Sequence, residues 1–281
     1  MTKPEDTAFS SIDLVCQCLI DSAKARAFEN VLKKIMRPDF SVLDIGTGSG
    51  ILALLAARAG AKKVTAIEFD RYVADVAKNN IEINNYKNKI SVVCDDARNI
   101  KFPKNTHFDV VAMEMLTTGM VDEFQVQAIN NLHKQKVIDR KTILIPERQE
   151  TYITLANTNF ENYGFNMKMV RHLWSHDRND GLVNALSNKI LLNNVDFSRP
   201  VNEFFSTSIS VPVNKNGKIN SVYLTSKTIV DSSNHLESTH SLNASVSIPI
   251  EEYEVKKGEI VKVNVKYRFG YGYGQFNVNI V

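Results

Sequence analysis

The chain has 281 residues, 43% hydrophobic and 23% charged, with a formal net charge of +3. This is globular composition, long enough for one large domain or two modest ones. The balance is too weakly basic to argue for nucleic acid, no apolar stretch approaches the roughly 20 residues that span a bilayer, and the opening M-T-K-P-E-D-T lacks the apolar core of a secretory signal.

Cys16, Cys18 and Cys94 are an odd, low cysteine count that fits a reducing compartment, so a cytoplasmic chain is expected. Cys16 and Cys18 have no second pair to complete a zinc site, and the six histidines are scattered, so no metal is expected. Residues 1–39 are mostly helical in pattern. V-L-D-I (42–45) reads as a strand, I-L-A-L-L-A-A-R-A (51–59) as a helix and K-V-T-A-I-E (63–68) as a strand. From Tyr72 to Asn84, Val73, Val76, Ala77 and Ile81 recur at helical spacing between charges. I-S-V-V (90–93) and F-D-V-V-A-M (108–113) read as buried strands. Such alternation implies a parallel sheet covered by helices.

Near Pro146 the pattern changes to period two. T-Y-I-T-L-A (151–156), T-S-I-S-V-P-V (207–213), A-S-V-S-I-P-I (244–250), I-V-K-V-N-V-K-Y (260–267) and Q-F-N-V-N-I-V (275–281) all alternate. K-N-G-K (215–218) reads as a hairpin turn, and Leu182 to Leu192 as a helix-like interruption. The expected architecture is α/β. A helical segment (1–39) precedes a Rossmann-type domain (40–146), and an antiparallel β-barrel-like or sandwich domain (147–281) follows.

The first strand runs into three glycines, Gly46, Gly48 and Gly50. The dinucleotide fingerprint G-x-G-x-x-G seats a pyrophosphate on a helix N-terminus. G-x-G-x-G is one residue off, and suits a ligand without pyrophosphate whose adenosine and amino-acid parts lie across the strand end. S-adenosylmethionine is such a ligand, and Gly46 and Gly48 would let the backbone approach it closely. Glu68 ends the next strand, 22 residues after Gly46, where an acid accepts hydrogen bonds from both ribose hydroxyls; Asp70 is the alternative. In C-D-D-A-R (94–98), Asp96 and Ala97 are placed to meet the adenine amino group and a ring nitrogen, with Asp95 the alternative. Asp44 holds either the loop backbone or the ligand's amino group. Three such elements at three successive strand ends point to S-adenosylmethionine binding more strongly than any one of them; the competing reading is ordinary loop residues in a doubly wound sheet.

V-L-D-I-G-T-G-S-G-I-L-A-L-L-A-A-R-A-G-A-K-K-V-T-A-I-E (42–68) closely resembles the cofactor segment of the protein arginine methyltransferases. D-S-A-K-A-R-A-F (21–28) resembles that family's N-terminal helix, whose basic residue holds the cofactor carboxylate. Lys24 falls at that position, with Arg26 the alternative. L-I-P-E-R-Q-E-T-Y-I-T (144–154) and E-E-Y-E-V-K-K-G-E (251–259) resemble segments of the family's barrel. The resemblance further implies a two-glutamate catalytic loop, here Glu114 and Glu123, nine residues apart. Two carboxylates can clamp a guanidinium bidentately and leave one nitrogen aimed at the methyl. The competing reading is a solvated helix start, with Asp122 beside Glu123.

The chain departs from that family at Met115, Leu116, Thr117 and Thr118, where aromatics are usual. It also carries Ser241, Leu242 and Asn243, preceded by His240, where the family has Thr-His-Trp. Trp174 lies in R-H-L-W-S-H (171–176), where the resembled family often carries the start of a dimerisation arm, in a region shorter here than is typical of it. Tyr271 and Tyr273, in Y-R-F-G-Y-G-Y-G-Q-F (267–276), either line a binding groove or belong to a plain glycine-rich hairpin. The expected function is S-adenosylmethionine-dependent N-methylation of an arginine-containing protein or peptide, or of a small guanidine. A homodimer is implied by the resemblance; neither membrane nor nucleic acid is expected as a partner. Two alternatives stay open: a methyltransferase of a non-guanidine metabolite, and a non-catalytic, cofactor-binding regulatory subunit.

Overall fold

The structure is a computed structural model that describes residues 12–173, 181–238 and 243–281. Trp174, His240, Ser241 and Leu242 therefore lie outside the described residues. Two helices open it, α1 (Ile12–Ile20) and α2 (Ser22–Ile35). Then come β1 (Ser41–Ile45), α3 (Ile51–Arg58), β2 (Lys63–Glu68), α4 (Arg71–Ile83), β3 (Ile90–Cys94), β4 (Val110–Met113), α5 (Gln125–Gln135) and β5 (Ile143–Ile145). The five strands form one parallel sheet in the order β3-β2-β1-β4-β5. Chain order reverses between β1 and β4, and ligands of such sheets sit at the strand C-termini beside that reversal.

The second half is antiparallel. Its strands are β6 (Arg148–Thr158), β7 (Glu161–Asn162), β8 (Phe165–Asn166), β9 (Arg171–His172), β10 (Val183–Ala185) and β11 (Ile190–Asp196). They continue through β12 (Phe204–Pro212), β13 (Gly217–Asp231), β14 (Asn234–Glu237), β15 (Val246–Val255), β16 (Ile260–Arg268) and β17 (Asn277–Ile280). A large sheet runs β10-β6-β13-β15-β9, with β11 on β6 and β14 on β13; β12-β16-β17 form a second. Their inward alternate residues, among them Ile153, Leu224 and Val263, share one apolar core with Leu43, Met113 and Ile129 of the first half. A separate core on the other face of the parallel sheet packs α2 and α3 through Phe28, Leu32 and Leu55.

Two expectations about local structure are corrected. Leu182 to Leu192 contains no helix; it supplies β10 and the start of β11, both paired with β6. Ser187 accepts the Leu155 N–H at 2.9 Å, so pairing to the long β6 outweighs the segment's own pattern. K-N-G-K is a corner, not a hairpin, because β12 pairs with β16 while β13 pairs with β6 and β15. Leu186 packs over Gly217, where an added Cβ would come within 3.1 Å of it.

Candidate active site

A cleft of about 1230 Å³, open mouth included, lies at the C-terminal ends of the parallel strands. Its walls come from separate elements whose local chemistry fixes each side chain. Asp21 caps α2 by accepting the Lys24 N–H at 3.2 Å, which sets Lys24 in the first turn, with Phe28 one turn later on the same face. Both line the cleft, as do Val15, Cys18 and Leu19 of α1.

The glycine loop turns back beneath α1. Gly46 (φ 72°) lies so close to Met115 that an added Cβ would come within 2.7 Å of its Cγ, and a Cβ on Gly48 (φ 54°) would come within 3.3 Å of Val15. Both glycines line the cleft, whereas Gly50 and Asp44 do not. Gly50 (φ 86°) is the N-cap of α3, packed against Ala77. Asp44, fully buried, accepts the Thr47 hydroxyl from beneath the loop, and its Oδ1 has no hydrogen-bond partner. Burial pushes its carboxyl up to about 7.

Glu68 faces the cleft with one oxygen accepting Gly48 N–H at 2.9 Å and the other accepting Asp70 N–H at 3.0 Å. Each oxygen keeps a lone pair for a hydroxyl donor. Burial raises its pKa, opposed by those backbone donors. Asp95, Asp96 and Ala97 also line the cleft. The Asp96 carboxylate is clamped by Arg98 at 2.8–2.9 Å, and its N–H is held by Asp95 Oδ1 at 2.7 Å. Burial pushes the Asp96 carboxyl up, but the Arg98 bonds outweigh it and hold it below the usual range.

Glu114 and Glu123 reach the same cleft from the two ends of one loop. Glu114 Oε1 stands 3.0 Å from Lys24 Nζ, an ion pair off hydrogen-bond alignment. Lys24 is held above its ordinary value because Glu114 outweighs the desolvation that would lower it. Glu114 is raised by burial despite Lys24, and Glu123 is raised further, by burial and by the Glu114 charge. Glu123 Oε2 is buried and has no hydrogen-bond partner. The solvated helix start is thus ruled out: α5 begins only at Gln125, and Glu123 is 8% exposed. Asp122, which the sequence offered only as a neighbour, also lines the cleft, and burial lifts its carboxyl to about 6.

The antiparallel half fixes this loop. Tyr267 OH and Gln149 Nε2 donate to the carbonyls of Gly119 and Thr117, at 3.1 and 3.0 Å. Gly270 and Gly272 N–H groups donate to Met120 and Val121 carbonyls, at 3.0 and 2.9 Å. Thr118 Oγ1 donates to the Ala244 carbonyl at 2.6 Å, and Met120 is held at φ 50°. Leu116, Thr117 and Thr118 are buried supports, and of the residues replacing the family's aromatics Met115 alone lines the cleft. Asn243 lies under the loop, within reach of Thr118 and Gln149. Tyr271 stacks on the Arg268 guanidinium at 3.7 Å, and Tyr273 is half-buried in the turn between β16 and β17, packed against Phe276; neither lines the cleft. Among the described residues no cluster fits a metal ion, the three cysteines are free, and no helix is long and apolar enough to cross a membrane.

The site fits S-adenosylmethionine on its own chemistry. The Gly46–Gly48 cradle has no room for a Cβ, Glu68 keeps acceptor capacity beside it, and unpartnered buried carboxylate oxygens line the space beyond. Parallel sheet, glycine loop after β1 and acid at the end of β2 together define a class I S-adenosylmethionine-dependent methyltransferase. The model of the ribosomal protein L11 methyltransferase (PrmA) family matches residues 27–172, and the chain belongs to that family. It is 30% identical to uncharacterized protein MJ1452 of Methanocaldococcus jannaschii over 93% of this chain and 94% of that one. It is 28% identical to protein arginine N-methyltransferase 1 of Oryza sativa subsp. indica over 58% of this chain and 45% of that one. The chain spans less than half the length of the L11 and arginine methyltransferases it matches. In fold it is similar to the Trypanosoma brucei PRMT1 enzyme-prozyme complex with AdoHcy, with TM-score 0.73 and 14% identity over 94% of this chain and 95% of that one.

Proposed function

We propose that the chain methylates a guanidinium nitrogen, with an arginine-containing protein or peptide, or a small guanidine, as acceptor. The observation that carries this reading is a pair of carboxylates, half-buried Glu114 and buried Glu123, converging on one cleft beside the glycine loop: Glu114 meets Lys24 at 3.0 Å, while Glu123 Oε2 is buried with no hydrogen-bond partner and, among the described residues, no cation beside it. Such a pair is costly unless a cation completes it. When bound, the cofactor supplies a sulfonium methyl. Gly46, Gly48, Glu68, Asp96 and Ala97 would hold it, with Lys24 toward its carboxylate.

The acceptor guanidinium enters a pocket whose acids are held up in pKa by burial. Its charge draws them into the ionised form, and the proton they give up leaves to solvent. Glu114 and Glu123 then accept its N–H groups, concentrate its charge on two nitrogens and orient the third. The anchored loop makes this pre-organisation, so the rate gain comes from proximity and a fixed field. A proton leaves the methylated nitrogen to a carboxylate or to solvent.

A second reading, methylation of an ammonium group, is favoured by one observation: Met115 stands where a planar group would otherwise find an aromatic wall. A homodimer, through the family resemblance, and a cytoplasmic setting, through the low cysteine count, remain part of the proposal. The test is an acceptor panel with labelled cofactor: arginine-rich protein, free arginine, small guanidines, lysine-rich protein, small amines and phenols. Label on guanidines supports the first reading. Label on amines alone replaces it with the second.

A further inference from the structure

The edge of the parallel sheet farthest from the cleft carries a charge pattern that methyl transfer does not use. Every strand of this sheet is entered through a loop on that edge. The stretches that lead into these strands, 36–40, 59–62, 84–89, 99–109 and 136–142, together hold nine lysines and arginines against three acids, Asp39, Asp109 and Asp139. That is +6 on one rim; against +3 for the whole chain, the remainder carries −3. Glu82, at the end of α4, offsets Lys87, and Asp139 faces His107, while the other cations keep their charge.

The loops lie side by side, stitched by backbone bonds: Val64 N–H to Lys89 carbonyl, Lys62 N–H to Phe40 carbonyl, Asp109 N–H to Ser41 carbonyl and Ile143 N–H to Asp109 carbonyl. Five strands about 4.8 Å apart make a rim roughly 20 Å long. Lys62, Lys89, Lys104, Lys136, Arg140 and Lys141 are all exposed along it. At the other pole six acids, Glu68, Asp95, Asp96, Glu114, Asp122 and Glu123, line the cleft.

We propose that this rim docks the phosphodiester backbone of a nucleic-acid duplex, without reading its sequence, while the cleft stays open at the opposite pole. Seven of the nine cations are lysines, which act as point charges rather than planar forks. Protein partners are held by buried aromatic and arginine anchors at interfaces poor in lysine. Here the aromatics of the loops, Phe40, Tyr86 and Phe102 among them, are packed against the cores. A membrane surface needs apolar side chains to insert, and Ile83 is the one large exposed apolar side chain bordering the rim among the described residues. A duplex needs charge alone: at one charge per ~1.7 Å of axis over both strands, about 20 Å of duplex carries roughly a dozen phosphates, of which about half lie on the side that faces the rim. The amino-acid sequence conceals the patch because its cations are spread over more than a hundred residues and converge only when the strands align.

The test is anisotropy of a labelled RNA duplex of about two helical turns, titrated between roughly 50 and 200 mM salt. With about five phosphate contacts, affinity should fall roughly 500-fold across that range. Duplexes of unrelated sequence should bind alike. The triple reversal Lys89→Glu, Lys104→Glu and Lys141→Glu should weaken binding at least tenfold and flatten the salt slope. The control reversal Lys215→Glu, Lys256→Glu and Lys257→Glu, on the antiparallel half, should bind within threefold of wild type. S-adenosylhomocysteine affinity should be unchanged in both variants and by saturating RNA, which shows an intact fold and separate sites. The proposal is overturned by absence of binding at the low-salt end, by equal loss in the control, by competition with S-adenosylhomocysteine, by strong sequence preference, or by tighter binding of polyglutamate or anionic vesicles than of RNA.

Discussion

The two halves of the cleft are built differently. The cofactor half comes from consecutive strand ends, Gly46 to Gly48 and then Glu68, tied directly by the Gly48 N–H to Glu68 bond. The acceptor half is assembled from afar: Glu114 is paired with Lys24, ninety residues away, and its loop is pinned by Tyr267 and Gly270 from near the C-terminus. A site made of neighbouring loops tolerates change elsewhere, whereas a site made of distant pieces registers changes in any of them. The acceptor half should therefore be lost to substitutions that leave the cofactor half intact.

The largest effect is expected at Glu114→Gln. It removes an acceptor carboxylate and leaves Lys24 as a buried, uncompensated cation, a class of change that costs about 3–5 kcal/mol. Turnover should vanish and the denaturant midpoint should drop, measured by labelled methyl transfer and urea unfolding. Gly46→Ala should break the cofactor half instead. A φ of 72° and a Cβ 2.7 Å from Met115 together predict at least a tenfold loss of S-adenosylhomocysteine affinity by calorimetry. The strained conformation should also cost about 1–3 kcal/mol of stability.

Gly270→Ala sharpens the contrast. Its Cβ would fall 2.8 Å from Phe124 and 3.2 Å from the Glu123 carbonyl, at φ 80°. Acceptor KM should rise severalfold while S-adenosylhomocysteine affinity stays within a factor of two, although the residue touches neither ligand. The fourth effect is a pH dependence. Asp44 is raised to about 7 in the folded state from an ordinary value of 3.8. The folded state thus binds the proton more tightly than the unfolded one, so the contribution of Asp44 to stability falls as pH rises from about 4 to about 7. Asp44→Asn should therefore gain on wild type across that window, as read by thermal unfolding at several pH values.

The contrast also explains what the amino-acid sequence made legible. The parallel half was legible because each buried strand is a short apolar run, and the glycine loop because backbone close to a ligand demands glycine. Leu182 to Leu192 was misread because β6 decides its conformation, and K-N-G-K because a turn signal does not say which sheet the next strand joins. Glu114 and Glu123 were found through a resemblance to known enzymes, but their burial and the Lys24 contact depend on packing across distant segments. Asp122 was visible only as a neighbour, since nothing local shows that it faces inward.

The most direct test of the acceptor half is single-turnover methyl transfer to a guanidine by wild type and Glu123→Gln, with S-adenosylhomocysteine affinity measured on both. Glu123 has no buried cation to orphan, so the substitution isolates the carboxylate. The account predicts a loss of about 10²–10³ in rate, the size seen when one pre-organised electrostatic group is removed, with cofactor affinity within threefold. A variant that turns over at the wild-type rate would show that Glu123 does not hold the acceptor, and the two-carboxylate account of this cleft would fail.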